Sequence, residues 1–272
     1  MRELGYLEGH NIRIEWRYAD ALFSRAVELA TELVRLPVDV IVAHHTPAVK
    51  ASMTVTRSIP IVMSPAGAPL QKGLVKSLAR PGGNVTGLSS MEAELGSKRV
   101  ELLRTLIPRL VRIALLGAKS DPFTRPYVED FQIAAARIGL QLQPVLVDGP
   151  SQFAAAFAEM AAGGAQAVVI QPLFQPHARK VVALGVKHRL AIMSSYRETT
   201  EAGGLISYSA DHAAYFQRAA NFVDRILKGA KPVDLPVEQP TTFELVINAR
   251  TAKALGLTIP SSLRLLADRV IE

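Results

Sequence analysis

The side chains of this 272-residue chain that are best suited to chemistry are six histidines and a scatter of carboxylates. None of them stands in an HExxH spacing, and the chain contains no Walker loop, no GxGxxG turn and no GxSxG nucleophile elbow. It also contains no cysteine, which excludes disulfides, thiolate metal sites and cysteine nucleophiles. We therefore expect no catalytic residue, no bound metal ion and no cofactor.

Several polar residues nonetheless stand where a ligand would be held. His44 and His45 directly follow a buried-strand pattern. They either hydrogen-bond the local backbone or contact a ligand, with a metal as a third alternative. Ser195 follows another strand pattern, but a serine nucleophile needs a base beside it, and the sequence places none there. Asp121 and Asp211 stand in loops, where helix capping and ligand contact are both open interpretations.

The elements that must position these residues form two series. Short apolar runs alternate with helical patterns along the chain, which is typical of βαβ units and parallel sheets. The first series is predicted to contain strands over residues 12–18, 38–43, 59–63 and 85–88. A second series begins at Val111 and ends in an irregular tail. Because the carboxyl ends of parallel strands share one edge, the polar groups that follow the strands predict a binding site there.

The composition excludes two classes of protein. The net charge is +7, but the basic residues are scattered, so no nucleic-acid partner is expected. No apolar run approaches the roughly 18 residues that a membrane span needs. No signal peptide precedes the first elements. The protein is therefore either cytosolic, or its sequence as given starts downstream of an export signal.

Several stretches carry a family resemblance. They include residues 4–9 (LGYLEG), 77–87 (SLARPGGNVTG), 202–208 (AGGLISY) and 235–248 (LPVEQPTTFELVIN). Over nearly the whole chain, the sequence resembles the periplasmic substrate-binding proteins of ABC transporters, in the group that includes binders of tryptophan and other aromatic amino acids. The resemblance implies that no reaction is catalysed. It also implies a small-molecule solute, an ABC permease as partner, a periplasmic location and a monomer.

The resemblance further implies an α/β, type I periplasmic-binding-protein fold. Two Rossmann-like lobes with parallel sheets are joined by a three-strand hinge, and the chain crosses near Arg109, Ser207 and Val237. Lobe 1 is expected over residues 1–109 plus 208–237, and lobe 2 over residues 110–207 plus 238–272. The strand that opens lobe 1 in relatives is expected to be absent, through a start assigned too late or a truncated gene.

The resemblance places the ligand contacts in the turns after the strands. The first lobe would contribute His45, Thr46, Ser64, Ala66 and Thr86, and the residues facing them would be Asp121, Gln171, Tyr196 and Asp211. The solute would be an amino acid or an aromatic or carboxylate compound, and the resemblance implies that it is captured in a cleft between the lobes. Residues 66–70 lack the carboxylate that relatives often carry in this turn, so an ammonium anchor is not expected there.

Two other functions share this kind of fold. One is a cytosolic ligand-sensing domain of the repressor type, which would need a helix-turn-helix before residue 1. The other is an enzyme on a Rossmann-like frame, which would need an acid, a base or a nucleophile clustered at the strand ends.

Overall fold

The structure is a computed structural model that describes residues 1–20, 23–92 and 95–272, with the side chains of Phe23, Ser24 and His212 left aside. The chain divides into two compact units. Unit 1 comprises Met1–Met91, Asp121–Phe123 and Asp211–Thr241. Unit 2 comprises Glu92–Ser120, Thr124–Ala210 and Thr242–Glu272.

Strands and helices alternate along most of the chain. The strands are β1 (Ile41–Ala43), β2 (Ile61–Ala66), β3 (Val85–Ser89), β4 (Arg112–Ala118), β5 (Gln141–Val147), β6 (Ala167–Ile170), β7 (Ala191–Ser194), β8 (Ile206–Ala210), β9 (Phe243–Asn248) and β10 (Arg269–Ile271). The helices are α1 (Phe23–Arg35), α2 (His45–Val55), α3 (Gly96–Leu106), α4 (Thr124–Arg137), α5 (Phe153–Ala162), α6 (Ala178–His188), α7 (Arg197–Glu201), α8 (His212–Leu227), α9 (Ala249–Ala254) and α10 (Ser261–Leu266). Short 3-10 turns are formed by Arg2–Leu4, Pro150–Gln152, Pro172–His177 and Pro232–Asp234.

Unit 1 is built on a parallel sheet in the order β1-β2-β3. All six residues of β2 are buried, as expected for a parallel strand that is covered on both faces. Ile61 and Met63 pack in a cluster with Val49 of α2, whereas Val62 packs in a second cluster with Phe222 of α8. The alternation of side chains along β2 therefore joins the two helical layers of the unit.

Unit 2 contains a seven-stranded sheet in the order β10-β9-β8-β7-β6-β4-β5. Neighbouring strands are parallel except β8 and β9, which pair antiparallel. The carboxyl ends of β4, β6 and β7 therefore lie along one edge of the sheet. In the part of the chain that the structure describes, no helix is long and apolar enough to cross a bilayer.

Residues 12–18 do not form the predicted strand. Ile12 makes an isolated bridge with Glu8, and the residues after it are not assigned to any strand. The alternation does not determine which side chains are buried, because Trp16 and Tyr18 are exposed whereas Glu15 and Arg17 are half-buried. A strand also needs a neighbouring backbone to pair with, which alternation alone does not supply.

The prediction of an irregular C-terminal tail was also wrong. The tail contains α10 and β10, and β10 pairs with β9 in parallel. Asp268 sets this pairing, since its backbone N–H donates to the Leu245 carbonyl while its carboxylate accepts from the Leu245 N–H at 2.8 Å. A strand of three residues is too short to show a periodicity in the sequence.

The predicted lobe boundaries differ from the observed units mainly over residues 92–109. These were expected in lobe 1, but α3 belongs to unit 2 and packs against α4. Gly96 of α3 lies against Phe131 of α4, whose ring would be 3.4 Å from a Cβ atom at that position. The chain passes between units after Met91, Ser120, Phe123, Ala210 and Thr241. The last two passages lie within four residues of Ser207 and Val237, whereas the predicted crossing near Arg109 falls inside unit 2.

Candidate functional site

The end of β1 and the end of β2 are tied together by the hydroxyl of Thr46. This side chain is buried. Its hydroxyl donates a hydrogen bond to the Gly67 carbonyl at 2.9 Å and accepts one from the Gly67 N–H at 3.1 Å. Thr46 follows His45, whose backbone is left-handed with φ of 65°. The short segment from His45 to Thr46 therefore holds the turn after β2 in place.

The two histidines form an aromatic group with a residue from α8. The Nδ1 atom of His44 hydrogen-bonds to the carbonyl oxygen of Ser64, so the backbone interpretation is confirmed for His44. The His44 ring lies 3.8 Å from the His45 ring and 5.2 Å from the Phe216 ring, measured between centroids. Phe216 was missed from the sequence because it lies within a helix, away from any strand end.

The turn after β2 is covered by Phe123. A Cβ atom at Gly67 would lie 2.4 Å from the Phe123 ring, so the ring rests directly on the glycine backbone. Ala66 and Ser64 are buried in β2. In unit 1, the structure thus places His45, Thr46, Ser64 and Ala66 at the same sheet edge.

Asp121 is a buried carboxyl group in the same unit. It is 6% exposed, and it accepts a hydrogen bond from the Phe123 N–H at 2.8 Å. Burial raises the pKa of Asp121 to about 7, against the opposing effects of that N–H and of Lys72. The bond is an Asx-type turn rather than a helix cap, which was one of the two open interpretations, because α4 begins only at Thr124.

Two of the predicted contacts serve the architecture of unit 1. Thr86 is fully buried, and its hydroxyl donates to the Leu235 carbonyl at 2.5 Å. Asp211 caps α8, accepting from the N–H groups of Ala213 at 2.9 Å and Ala214 at 3.2 Å. The capping interpretation of Asp211 is therefore confirmed.

Asp211 was expected within lobe 1 and Asp121 within lobe 2, and the structure corrects the expectation for Asp121. Both belong to unit 1. Asp211 is placed there by α8, whose Phe222 packs against the sheet of unit 1. Asp121 is placed there with Phe123, which rests on Gly67.

In unit 2, Gln171 joins the carboxyl ends of β4 and β6. Its side chain is fully buried, and its Oε1 accepts from the Ala118 N–H at 2.7 Å and from the Thr124 hydroxyl at 3.1 Å. Gly117 leaves room for this arrangement, because a Cβ atom there would lie 3.2 Å from the Gln171 Oε1. Gln171 thus lies at the sheet edge that the sequence predicted.

The end of β7 carries a buried polar cluster. Tyr196 is 6% exposed, and burial, reinforced by the charges of Glu92 and Glu198, raises the pKa of its hydroxyl. The neighbouring Ser195 donates a hydrogen bond to the Glu92 carboxylate, which also pairs with Arg99 at 2.7 Å. Neither Glu92 nor Arg99 was predicted, since a carboxylate and a guanidinium seven residues apart match no known motif.

The chemistry of these residues is that of hydrogen bonding and aromatic contact. Buried hydroxyl, amide and carboxyl groups stand at the strand ends of both units, with the rings of His45, Phe123 and Tyr196 beside them. Among residues 1–20, 23–92 and 95–272, no group of three or more His, Asp and Glu side chains could hold a metal ion.

Comparison with known proteins agrees with this picture. The model of the family described as ABC transporter substrate binding protein matches residues 1–271. A relative from Clostridioides difficile (strain R20291), named a tyrosine-binding protein, is 26% identical over 94% of this chain and 74% of its own length.

Two solved structures share the fold over 99% of this chain with a TM-score of 0.92. One is an ABC domain from Streptococcus pneumonia in complex with L-Trp, which is 29% identical and matched over 91% of its length. The other is a conserved domain protein from Vibrio cholerae, which is 26% identical and matched over 90% of its length. They confirm the predicted α/β periplasmic-binding-protein fold. Since the family model spans almost the entire sequence, the chain belongs to the ABC transporter substrate-binding proteins.

Proposed function

We propose that this protein captures an aromatic amino acid or a related aromatic carboxylate and delivers it to the permease of an ABC importer. The family assignment supports solute capture for transport. The observation that carries the proposal for the site is the Thr46–Gly67–Phe123 arrangement. It presents a fixed turn and an aromatic ring at the strand ends of unit 1, where α/β proteins bind ligands.

Two relatives support an aromatic solute. One has been solved with L-Trp, and the other is named for tyrosine. In this chain the rings of His45 and Phe123 in unit 1, and of Tyr196 in unit 2, would contact the aromatic part of the solute. Aromatic rings stack with one another at a gain of about 0.5–1.5 kcal/mol per pair beyond their burial.

Polar residues would hold the remainder of the solute. In unit 1 these are Thr46, Ser64 and the carboxyl of Asp121, with Ala66 as part of the wall. In unit 2 the amide of Gln171 would take part. A carboxyl group with a pKa of about 7 can accept or donate a hydrogen bond near neutral pH, so Asp121 suits a solute with an amino or a carboxylate group.

We propose that the protein catalyses no reaction. The pair most like a nucleophile and its base is Ser195 with Glu92, but the Glu92 carboxylate is already engaged by Arg99 at 2.7 Å. We further propose that the protein works as a monomer on the outer, periplasmic side of the cytoplasmic membrane and binds no nucleic acid.

A thermal-shift screen tests the proposed solute class. The purified chain would be heated with L-tryptophan, L-tyrosine, L-phenylalanine and 4-hydroxybenzoate, with L-leucine and D-xylose as controls. A solute at 100 times its Kd stabilises the folded state by about 2.7 kcal/mol, which raises the melting temperature by several degrees. If no aromatic compound raises it more than the controls do, the proposed solute class is wrong.

A further inference from the structure

Unit 2 contains an ion pair that is removed almost completely from solvent. Arg99 in α3 is 0% exposed and Glu92 is 3% exposed. Arg99 Nη2 lies 2.7 Å from the Glu92 carboxylate, and Arg99 Nη1 also donates to the Glu92 backbone carbonyl at 3.1 Å. Tyr127 of α4, fully buried as well, interacts with both Arg99 and Ser195.

Such a pair is a costly way to fill a protein interior. Removing two charges from water costs several kcal/mol per ion, and well-packed apolar residues of similar volume are often as stable or more stable. Unlike apolar side chains, the ion pair can hold neighbouring groups in place, because hydrogen bonds fix their positions. The groups that hydrogen-bond to Glu92 and Arg99 therefore show what the pair positions.

The first positioned group is Ser195, at the end of β7. Its hydroxyl donates to the Glu92 carboxylate, and both residues are buried. Tyr196 is the next residue after Ser195, and it interacts electrostatically with the Glu92 carboxylate. The pair therefore sets the conformation of the segment that carries Tyr196, which is one of the proposed solute contacts.

The second positioned group is the backbone of β8. Arg99 Nε donates to the Tyr208 carbonyl at 2.8 Å. The chain leaves unit 1 after Met91, returns to it briefly at Asp121–Phe123, and returns again at Asp211. Arg99 thus binds backbone carbonyls of Glu92 and Tyr208, which are close in sequence to two of these passages.

We propose that Glu92 and Arg99 are positioning residues for the solute, acting through Ser195 and Tyr196 rather than touching the solute themselves. This inference rests on the proposed function. It predicts that stability and affinity respond differently when the pair is replaced as a whole. A pair that only held the fold together would change both or neither.

The test uses the full chain with the double substitution Glu92→Leu and Arg99→Met, which replaces the pair by apolar side chains of similar volume. The melting temperature is expected to stay within about 3 °C of the original. The Kd for L-tryptophan or L-tyrosine, measured by isothermal titration calorimetry, is expected to rise at least about tenfold, or 1.4 kcal/mol. Equal affinity in the double variant and the original protein would overturn the proposal.

The matched control makes the same two substitutions at the pair of Arg125 and Glu129 on the surface of α4, which are 84% and 54% exposed. Stability and affinity should both be unchanged there. If the Glu92/Arg99 double variant does not fold, the affinity of the variant Ser195→Ala tests the proposal instead. This substitution removes the contact with Glu92 and leaves the ion pair intact. An unchanged affinity in Ser195→Ala would overturn the proposal.

The coupling between the sites gives a second readout. When Ser195→Ala is added to the double variant, we expect no further loss of affinity, because the residues act through one contact. Additive losses would contradict the proposed route. If the unaltered protein binds neither L-tryptophan nor L-tyrosine, the proposed aromatic solute fails, and the positioning role fails with it. Normal binding with unaffected variants contradicts the positioning role alone.

Discussion

Gly67 is a residue of unit 1 where an added side chain would collide with its surroundings. The Phe123 ring occupies the space that a Cβ atom would need, at 2.4 Å. The Thr46 hydroxyl meanwhile holds both the N–H and the carbonyl of Gly67. A substitution here must displace either the ring or the turn, and both belong to the proposed site.

We therefore expect Gly67→Ala to lower the free energy of unfolding by about 1–3 kcal/mol, as overpacking does elsewhere, and to weaken solute binding. Gly83→Ala is the control, since nothing lies within 4 Å of its added methyl group. Urea denaturation and calorimetry of both variants would measure the difference. If the two variants are equally stable, Phe123 does not rest on Gly67 as described.

Asp121 gives a prediction about pH. Its pKa is about 7 in the folded protein, compared with 3.8 for the free side chain. Between these values the folded state holds a proton that the unfolded state has lost, so this group makes the protein less stable as the pH rises from about 4 to about 7. Below that window its stabilising effect is fully present, and above it the effect is lost.

The variant Asp121→Asn keeps the acceptor oxygen but does not ionise. Relative to the original protein, it should gain stability as the pH rises through this window, by at most about 4 kcal/mol, and reach a plateau above it. Urea denaturation at several pH values from about 4 to about 8 would show this. A constant difference between variant and original across that range would mean that Asp121 does not titrate there.

Most of the elements were predictable because they are specified locally. The run of apolar and β-branched residues at 59–63 marked β2, and the polar residues at its end marked the edge where Thr46 and Gly67 meet. Residues 12–18 show the limit of this reasoning. Their polar and apolar residues alternate, but whether a strand forms depends on which backbone lies beside them.

The buried cluster of unit 2 could not be predicted for a related reason. Glu92 and Arg99 lie seven residues apart, but Ser195 is 103 residues from Glu92, and the fold brings them together. Each residue taken alone looks like an ordinary polar side chain. The same holds for Phe123 on Gly67, where the contact joins residues that are 56 positions apart.

The cap of α8 is a feature that can be tested at the level of one helix. Asp211→Ala removes the acceptor for the N–H groups of Ala213 and Ala214, and should reduce the free energy of unfolding by about 1 kcal/mol. Asp211→Asn retains a capping oxygen and should restore most of that loss. Thermal denaturation compares the variants, and an alanine variant as stable as the original would show that the cap contributes nothing.

At the scale of the molecule, the chain passes several times between two compact units, and each unit has its own sheet with polar residues at the strand ends. The family assignment indicates the role of this protein, since ABC substrate-binding proteins hold a solute for a membrane transporter. The three-strand hinge and the single cleft expected from the sequence stay predictions.

The central claim is that the protein holds one aromatic solute, and a direct measurement is calorimetric titration of the purified chain with L-tryptophan and with L-tyrosine. We predict saturable binding of at least one of them, with one molecule bound per chain and a Kd of about 1 μM or tighter, equivalent to −8.2 kcal/mol. L-Leucine in the same cell should give no binding heat. The absence of saturable binding for both aromatic amino acids, in a chain that unfolds cooperatively, would contradict the claim.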